Sequence, residues 1–132
     1  MAFRLVIALI GVSVATIPLS PAEVQAHRMR MISTEMLESQ VEDALASKEL
    51  RAAARAAKSL APILAAEERY WDKTGLSDAL SYARRNRQAA ARLAEATRHG
   101  ELGEASAELD AMRANCVACH GSHPENRTVT GR

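Results

Sequence analysis

The sequence predicts an all-α protein, an antiparallel up-down-up-down four-helix bundle. Three observations lead there. After its first 26 residues the chain is dominated by Ala, Leu, Arg and Glu, and Val, Ile and aromatic alternation is almost missing beyond residue 42. Apolar residues recur at spacings of three and four in four separate segments. The links between those segments are short, which makes sequence neighbours antiparallel. A tandem helical hairpin of the solenoid type is the alternative architecture, but no clean repeat period supports it.

The first segment runs from about Ser33 to Ala46. Ser33 or Thr34 is its expected cap, Glu35 and Glu38 favour its positive end, and Leu37, Val41, Ala44 and Leu45 form its apolar stripe. The second starts near Ser47-Lys48-Glu49 and carries Leu50, Ala53, Ala57, Leu60 and Leu64 before Tyr70-Trp71. Pro62 lies inside it and is expected to kink or break it, because proline lacks the N–H and crowds the carbonyl of Lys58. Asp72-Lys73-Thr74-Gly75 reads as a turn. The third segment runs from Ser77, an expected N-cap, to His99, with Gly100 as C-cap. The fourth begins near Leu102 and reaches about His120, with Ala105, Leu109, Met112, Cys116 and Cys119 on one stripe and Pro124 beyond its end.

The start of the chain does not read as fold. Arg4 is followed by an apolar run from Leu5 to about Ile17, then Pro18, Pro21 and a small-residue ending at Val24-Gln25-Ala26. That layout predicts a secretory signal peptide cleaved after Ala26, so the protein is expected in the periplasm, with no membrane segment once the signal is removed. The run is short for a bilayer span, which needs about 20 residues. The organisation expected is therefore a signal at 1–26, one helical domain at 27–123 and a flexible polar tail at 124–132. The formal net charge is +1, and removing the signal costs one basic and one acidic residue, Arg4 and Glu23. A near-neutral balance argues against nucleic acid as a partner, since phosphate binding needs clustered positive charge.

Both cysteines of the chain lie in Cys116-Val-Ala-Cys119-His120. In a helix, residues three and four apart are neighbours, so these three side chains share a face. Four chemistries suit the pattern. C-x-x-C-H is the attachment signature of c-type haem: two thioethers hold the porphyrin and the adjacent imidazole binds iron. Export agrees with this reading, because it places the thiols in an oxidising compartment where they must be committed. A thiol–disulfide site would sit at a helix N-terminus, whereas this pair sits near a C-terminus. A zinc or copper site would use Cys116, Cys119, His120 and His123, but all four fall within eight residues, tighter than the usual two-part spacing. A structural disulfide across i and i+3 of a helix would need distortion. Haem c is the cofactor expected, one per chain, with Cys116 and Cys119 as its anchors and His120 as the proximal iron ligand.

A leader, four helices and a single Cys116-Val-Ala-Cys119-His120 at the end of the last helix resemble the class II c-type cytochromes, the cytochrome c′ type, over roughly residues 30–121. The resemblance implies a haem inserted between the helices at one end of the bundle, and electron transfer or binding of small gases such as NO and CO outside the cytoplasm. It implies no enzyme activity, redox proteins as partners, and dimers through the first two helices in many members. It also implies a distal residue from the first helix. There the chain reads His27-Arg28-Met29-Arg30-Met31-Ile32, with Met36 beyond. Met31 is the expected sixth ligand, with Met29 or Met36 as alternatives and His27 as a weaker one. A strong sixth ligand suits electron transfer, and its absence leaves a site for gases. The chain departs from the family after His120, where Gly121-Ser122-His123-Pro124 stands and the next arginine is Arg127.

Met112, one turn before Cys116, is expected against the porphyrin, and Tyr70, Trp71 and Leu76 fall at the haem end of the bundle as pocket residues. Arg84, Arg85 and Arg87 form a basic run suited to a solvated face or to an acidic redox partner. His99 suits its helix C-terminus, and His123 is expected in solvent. The competing class is a Cys/His metal-binding helical module without haem.

Overall fold

A computed structural model describes residues 18–124; the apolar run Leu5–Ile17 and the tail beyond Pro124, with Arg127, lie outside the described residues. Four helices follow one another: α1 (Pro21–Ala46), α2 (Leu50–Thr74), α3 (Ser77–His99) and α4 (Leu102–Ser122). Among the described residues there is no strand. Consecutive helices pack closely, α1 meets α4 over a narrower contact, and diagonal helices make no close backbone approach, as in an up-down-up-down four-helix bundle. No helix among the described residues is long and apolar enough to cross a membrane.

The turns are built from left-handed residues. Gly75 (φ 73) closes α2 and Gly100 (φ 76) closes α3, positions where a Cβ would be strained. Lys48 adopts φ 58 between α1 and α2, while the Glu49 N–H donates to the Ala44 carbonyl at 2.8 Å. The boundary of α3 agrees with the sequence at both ends, although Leu76 is its N-cap residue and offers no side-chain bond.

Asp72-Lys73-Thr74, expected as a turn, is the last turn of α2, with Gly75 as its C-cap, and the N-cap of α3 is Leu76 and not Ser77. Two larger differences concern the start of α1 and the course of α2 through Pro62. The first is the start of α1, which begins at Pro21 and not near Ser33. Ser20 and Glu23 form a reciprocal capping box: Ser20 Oγ accepts from the Glu23 N–H at 3.2 Å, and Glu23 Oε2 accepts from the Ser20 N–H at 2.8 Å. Pro21 sits at the first helical position, where no N–H is needed. Glu23 also bridges to Lys73 of α2 at 2.7 Å, and that contact holds its carboxyl down to about 2. The second difference is Pro62. α2 continues unbroken through it, because Pro62 and Lys58 are both exposed and water can serve the carbonyl that loses its partner.

The core has two parts. Val41, Leu60, Leu64, Leu93, Leu109 and Met112 lead the larger cluster. Tyr70, Trp71, Ala79 and Ala83 form a smaller one toward the end of the bundle where α4 stops, with Leu19 and Leu80 against it. The α1–α4 pair is tied by Arg113, whose two terminal nitrogens each donate to Glu42 at 2.8 Å. The cavity that Cys116, Cys119 and His120 line lies where the two clusters meet, bordered by Leu64 of the first and by Trp71, Ala79 and Ala83 of the second.

Candidate haem site

Cys116, Cys119 and His120 line one cavity together, so the helical spacing brings the three side chains to a common space. The hollow measures about 1040 Å3 with its open mouth, and water centres fit in about 250 Å3 of it. All four helices contribute. Leu64 and Trp71 come from α2, Ala79, Tyr82, Ala83 and Asn86 from α3, and His27, Met31, Thr34, Glu35 and Glu38 from α1. Two alanines on the α3 wall leave room that larger residues would fill.

The α1 wall follows the heptad stripe His27, Met31, Thr34, Glu38, Val41, spaced four, three, four and three. Three of its members are polar and buried: His27 is 3 % exposed, Thr34 5 % and Glu38 6 %. A polar inward stripe is costly in a plain bundle. Three of its neighbouring polar atoms carry that cost openly. His27 Nε2, Thr34 Oγ1 and Asn86 Oδ1 are buried without a hydrogen-bond partner, and all three residues line this cavity. Native proteins rarely leave such atoms orphaned, so the set fits a polar-edged ligand held in the hollow.

Of the expected pocket residues, Trp71 lines the cavity and three do not. Tyr70 stands behind it, stacked on His27 with ring centroids 4.3 Å apart. Met112 is wholly buried in the larger apolar cluster one turn deeper. Leu76 is 41 % exposed, because it is the N-cap residue of α3 and faces away from the bundle. Among the α1 methionines, Met31 lies on the inward stripe and lines the cavity, whereas Met29 (51 % exposed) and Met36 (54 %) face solvent. His123 is buried, against expectation: its Nε2 lies 2.8 Å from Asp78 Oδ2 and its ring packs 5.9 Å from Trp71. That contact draws the end of α4 onto the start of α3.

The two cysteines are thiols. Burial, then the nearby Glu38 carboxyl, push the Cys116 thiol up to about 12. Its Sγ approaches Glu38 Oε1 at 3.9 Å and accepts from Asn86 Nδ2 at 3.5 Å. A thiol held so firmly protonated is unsuited to disulfide exchange, which needs the thiolate. Among the described residues no group of three or more His, Cys, Asp or Glu side chains is placed to hold a bare metal ion. The basic run of α3 is largely engaged: Arg84 and Arg87 both pair with Glu68, and Arg85 lies over the Tyr82 ring at 4.7 Å.

Glu38 gives a pH test. Burial raises its carboxyl to about 7, against a partial pull down from Arg113. A raised folded-state value means the native chain holds this proton more tightly than the unfolded chain. The stability is then full below about pH 4.5 and falls as pH rises through about 7, by about 3 kcal/mol in all. Glu38→Gln should remove that slope. Urea unfolding of the bare polypeptide at pH 4.5 and 7.5 should show wild type and variant diverging only at the higher pH, with the variant the more stable.

Searched against protein-family models, curated proteins and solved structures, the chain matches none.

Proposed function

We propose that this chain is an exported mono-haem c-type cytochrome that carries electrons. The observation that supports it most is the one cavity lined together by Cys116, Cys119 and His120 and by His27, Thr34 and Asn86, each of which holds a buried polar atom with no hydrogen-bond partner. Cys116 and Cys119 would hold the porphyrin edge by thioethers, and His120 would be the proximal iron ligand. Bound there, haem supplies a one-electron Fe(III)/Fe(II) couple. The chain's own part would be to bury that couple, hold the side chains that bind the iron and limit water. Trp71, Leu64 and the α3 alanines give the apolar walls. Met31, through its sulfur, or His27, through Nε2, would supply a second protein ligand to the iron from α1, since both residues line the cavity.

Export follows from the leader-like start of the sequence, and redox proteins are the partners this reading requires. The capping box at Ser20 and the Glu23–Lys73 pair favour a cleavage point before Ser20 over one after Ala26, since the later cut removes both. Amino-terminal sequencing of the exported protein distinguishes the two.

Spectroelectrochemistry tests the function. The matured protein should show one reversible one-electron wave with sharp reduced-state bands and a six-coordinate low-spin ferric state. A high-spin ferric state that takes up CO or NO at once would replace electron transfer by gas binding.

A further inference from the structure

We propose that His27, not Met31, supplies the sixth iron ligand, giving a bis-histidine haem with His120; this rests on the haem reading above. The first ground is the state of its two nitrogens. Nδ1 lies 2.7 Å from Glu67 Oε2, and Arg30 Nε donates to the other oxygen of the same carboxyl. Facing a carboxylate, Nδ1 is the donor, and in the neutral ring that tautomer leaves Nε2 with a lone pair able to bind a metal. Metal-bound imidazoles nearly always donate their second nitrogen to a carboxylate, carbonyl or water in this way, which fixes the tautomer and raises the basicity of the free nitrogen.

The second ground is that Nε2 is buried, has no partner, and belongs to a residue lining the same cavity as Cys116, Cys119 and His120. Most buried side-chain polar atoms have a partner, so an orphaned Nε2 calls for one.

The third ground is rigidity. The His27 ring is stacked on Tyr70 at an interplanar angle of 1°, and meets Trp71 edge-on at 5.2 Å and 81°. With Glu67 it is held on three sides, so ligation freezes little further motion. Met31 is a flexible thioether that adapts to many settings and carries no comparable orientation.

The test uses the full chain, exported and matured with its haem. Intact mass comes first: a chain lacking the mass of one haem overturns the haem reading itself, and the proposal with it. With haem attached, the ferric wild type should be low-spin without the sulfur-to-iron charge-transfer band at the red end. His27→Ala should become high-spin, and added imidazole should restore the low-spin state. Met31→Leu should leave the spectrum unchanged. His27→Met keeps a ligand at the site and should gain the sulfur band, so a poorly folded alanine variant still leaves a decision. A sulfur band in the wild type that vanishes in Met31→Leu overturns the proposal, as does a high-spin wild type or a His27→Met spectrum identical to the wild type.

Discussion

Replacing Cys116 and Cys119 together by serine should abolish haem retention after denaturation while leaving the helical content intact. The two side chains open onto the cavity and are only partly buried, so the exchange of sulfur for oxygen disturbs little of the apolar core, which is centred on Leu60, Leu93 and Met112. Each serine hydroxyl can reach water in the cavity, so the haem-free stability should fall by no more than about 1–3 kcal/mol. The single variants should keep one thioether each and a reduced yield. His120→Ala should differ: attachment through both sulfurs can persist, but the proximal ligand is gone. Far-ultraviolet circular dichroism with a haem stain on a denaturing gel separates these outcomes. A double serine variant that keeps its haem stain would contradict the anchoring role.

Glu67→Ala should be the most damaging single change outside the motif. Glu67 is 2 % exposed and receives both His27 Nδ1 and Arg30 Nε, joining α2 to α1 at the end of the bundle. Removing the carboxylate leaves a guanidinium without its counter-charge and an imidazole without its acceptor. Breaking one side of a buried pair costs about 3–5 kcal/mol. Here the loss should be nearer about 2–4 kcal/mol, because the Arg30 side chain is 22 % exposed and can turn partly to water. Urea unfolding at neutral pH measures it. Glu67→Gln should recover part of the loss, since an amide oxygen can still accept. If Glu67→Ala and Glu67→Gln are both within about 0.5 kcal/mol of wild type, the cluster is a surface feature in energetic terms.

The helices were legible because three of the four obey ordinary rules. Gly100 ends α3, Ser77 begins it, and the Ala105–Leu109–Met112 stripe orients α4 so that the Cys116 face turns inward. The beginning of α1 was hidden, because the residues that cap it, Ser20, Pro21 and Glu23, also resemble the end of a secretory leader. The wall of the site on α1 was hidden for a different reason. Leu37, Val41, Ala44 and Leu45 form an apolar stripe that satisfies the usual helical pattern. The stripe facing the cavity is His27, Met31, Thr34 and Glu38, equally regular but mostly polar. The heptad spacing was present in the sequence, and only the identity of the side chains argued against it. Buried polar residues at core spacing need partners from the protein, from water or from a ligand. Glu67 could not be read at all, since its value depends on α1 and α2 meeting at that level.

His123 illustrates the same limit at short range. Three residues after His120 and beside Pro124, it read as part of a solvated end. The fold brings Asp78 of α3 to within 2.8 Å of it, and that contact comes from the antiparallel packing and not from local sequence. Burial by tertiary structure overrode a local signal.

The central claim is that Cys116, Cys119 and His120 together hold one haem. The most direct measurement is the intact mass of the exported protein after acid denaturation and organic extraction, steps that strip any haem not bonded through sulfur. The account predicts a chain heavier by one haem, with the added mass on the peptide that contains Cys116 and Cys119. A mass equal to the bare polypeptide, from cells able to attach haem to other chains, would contradict it.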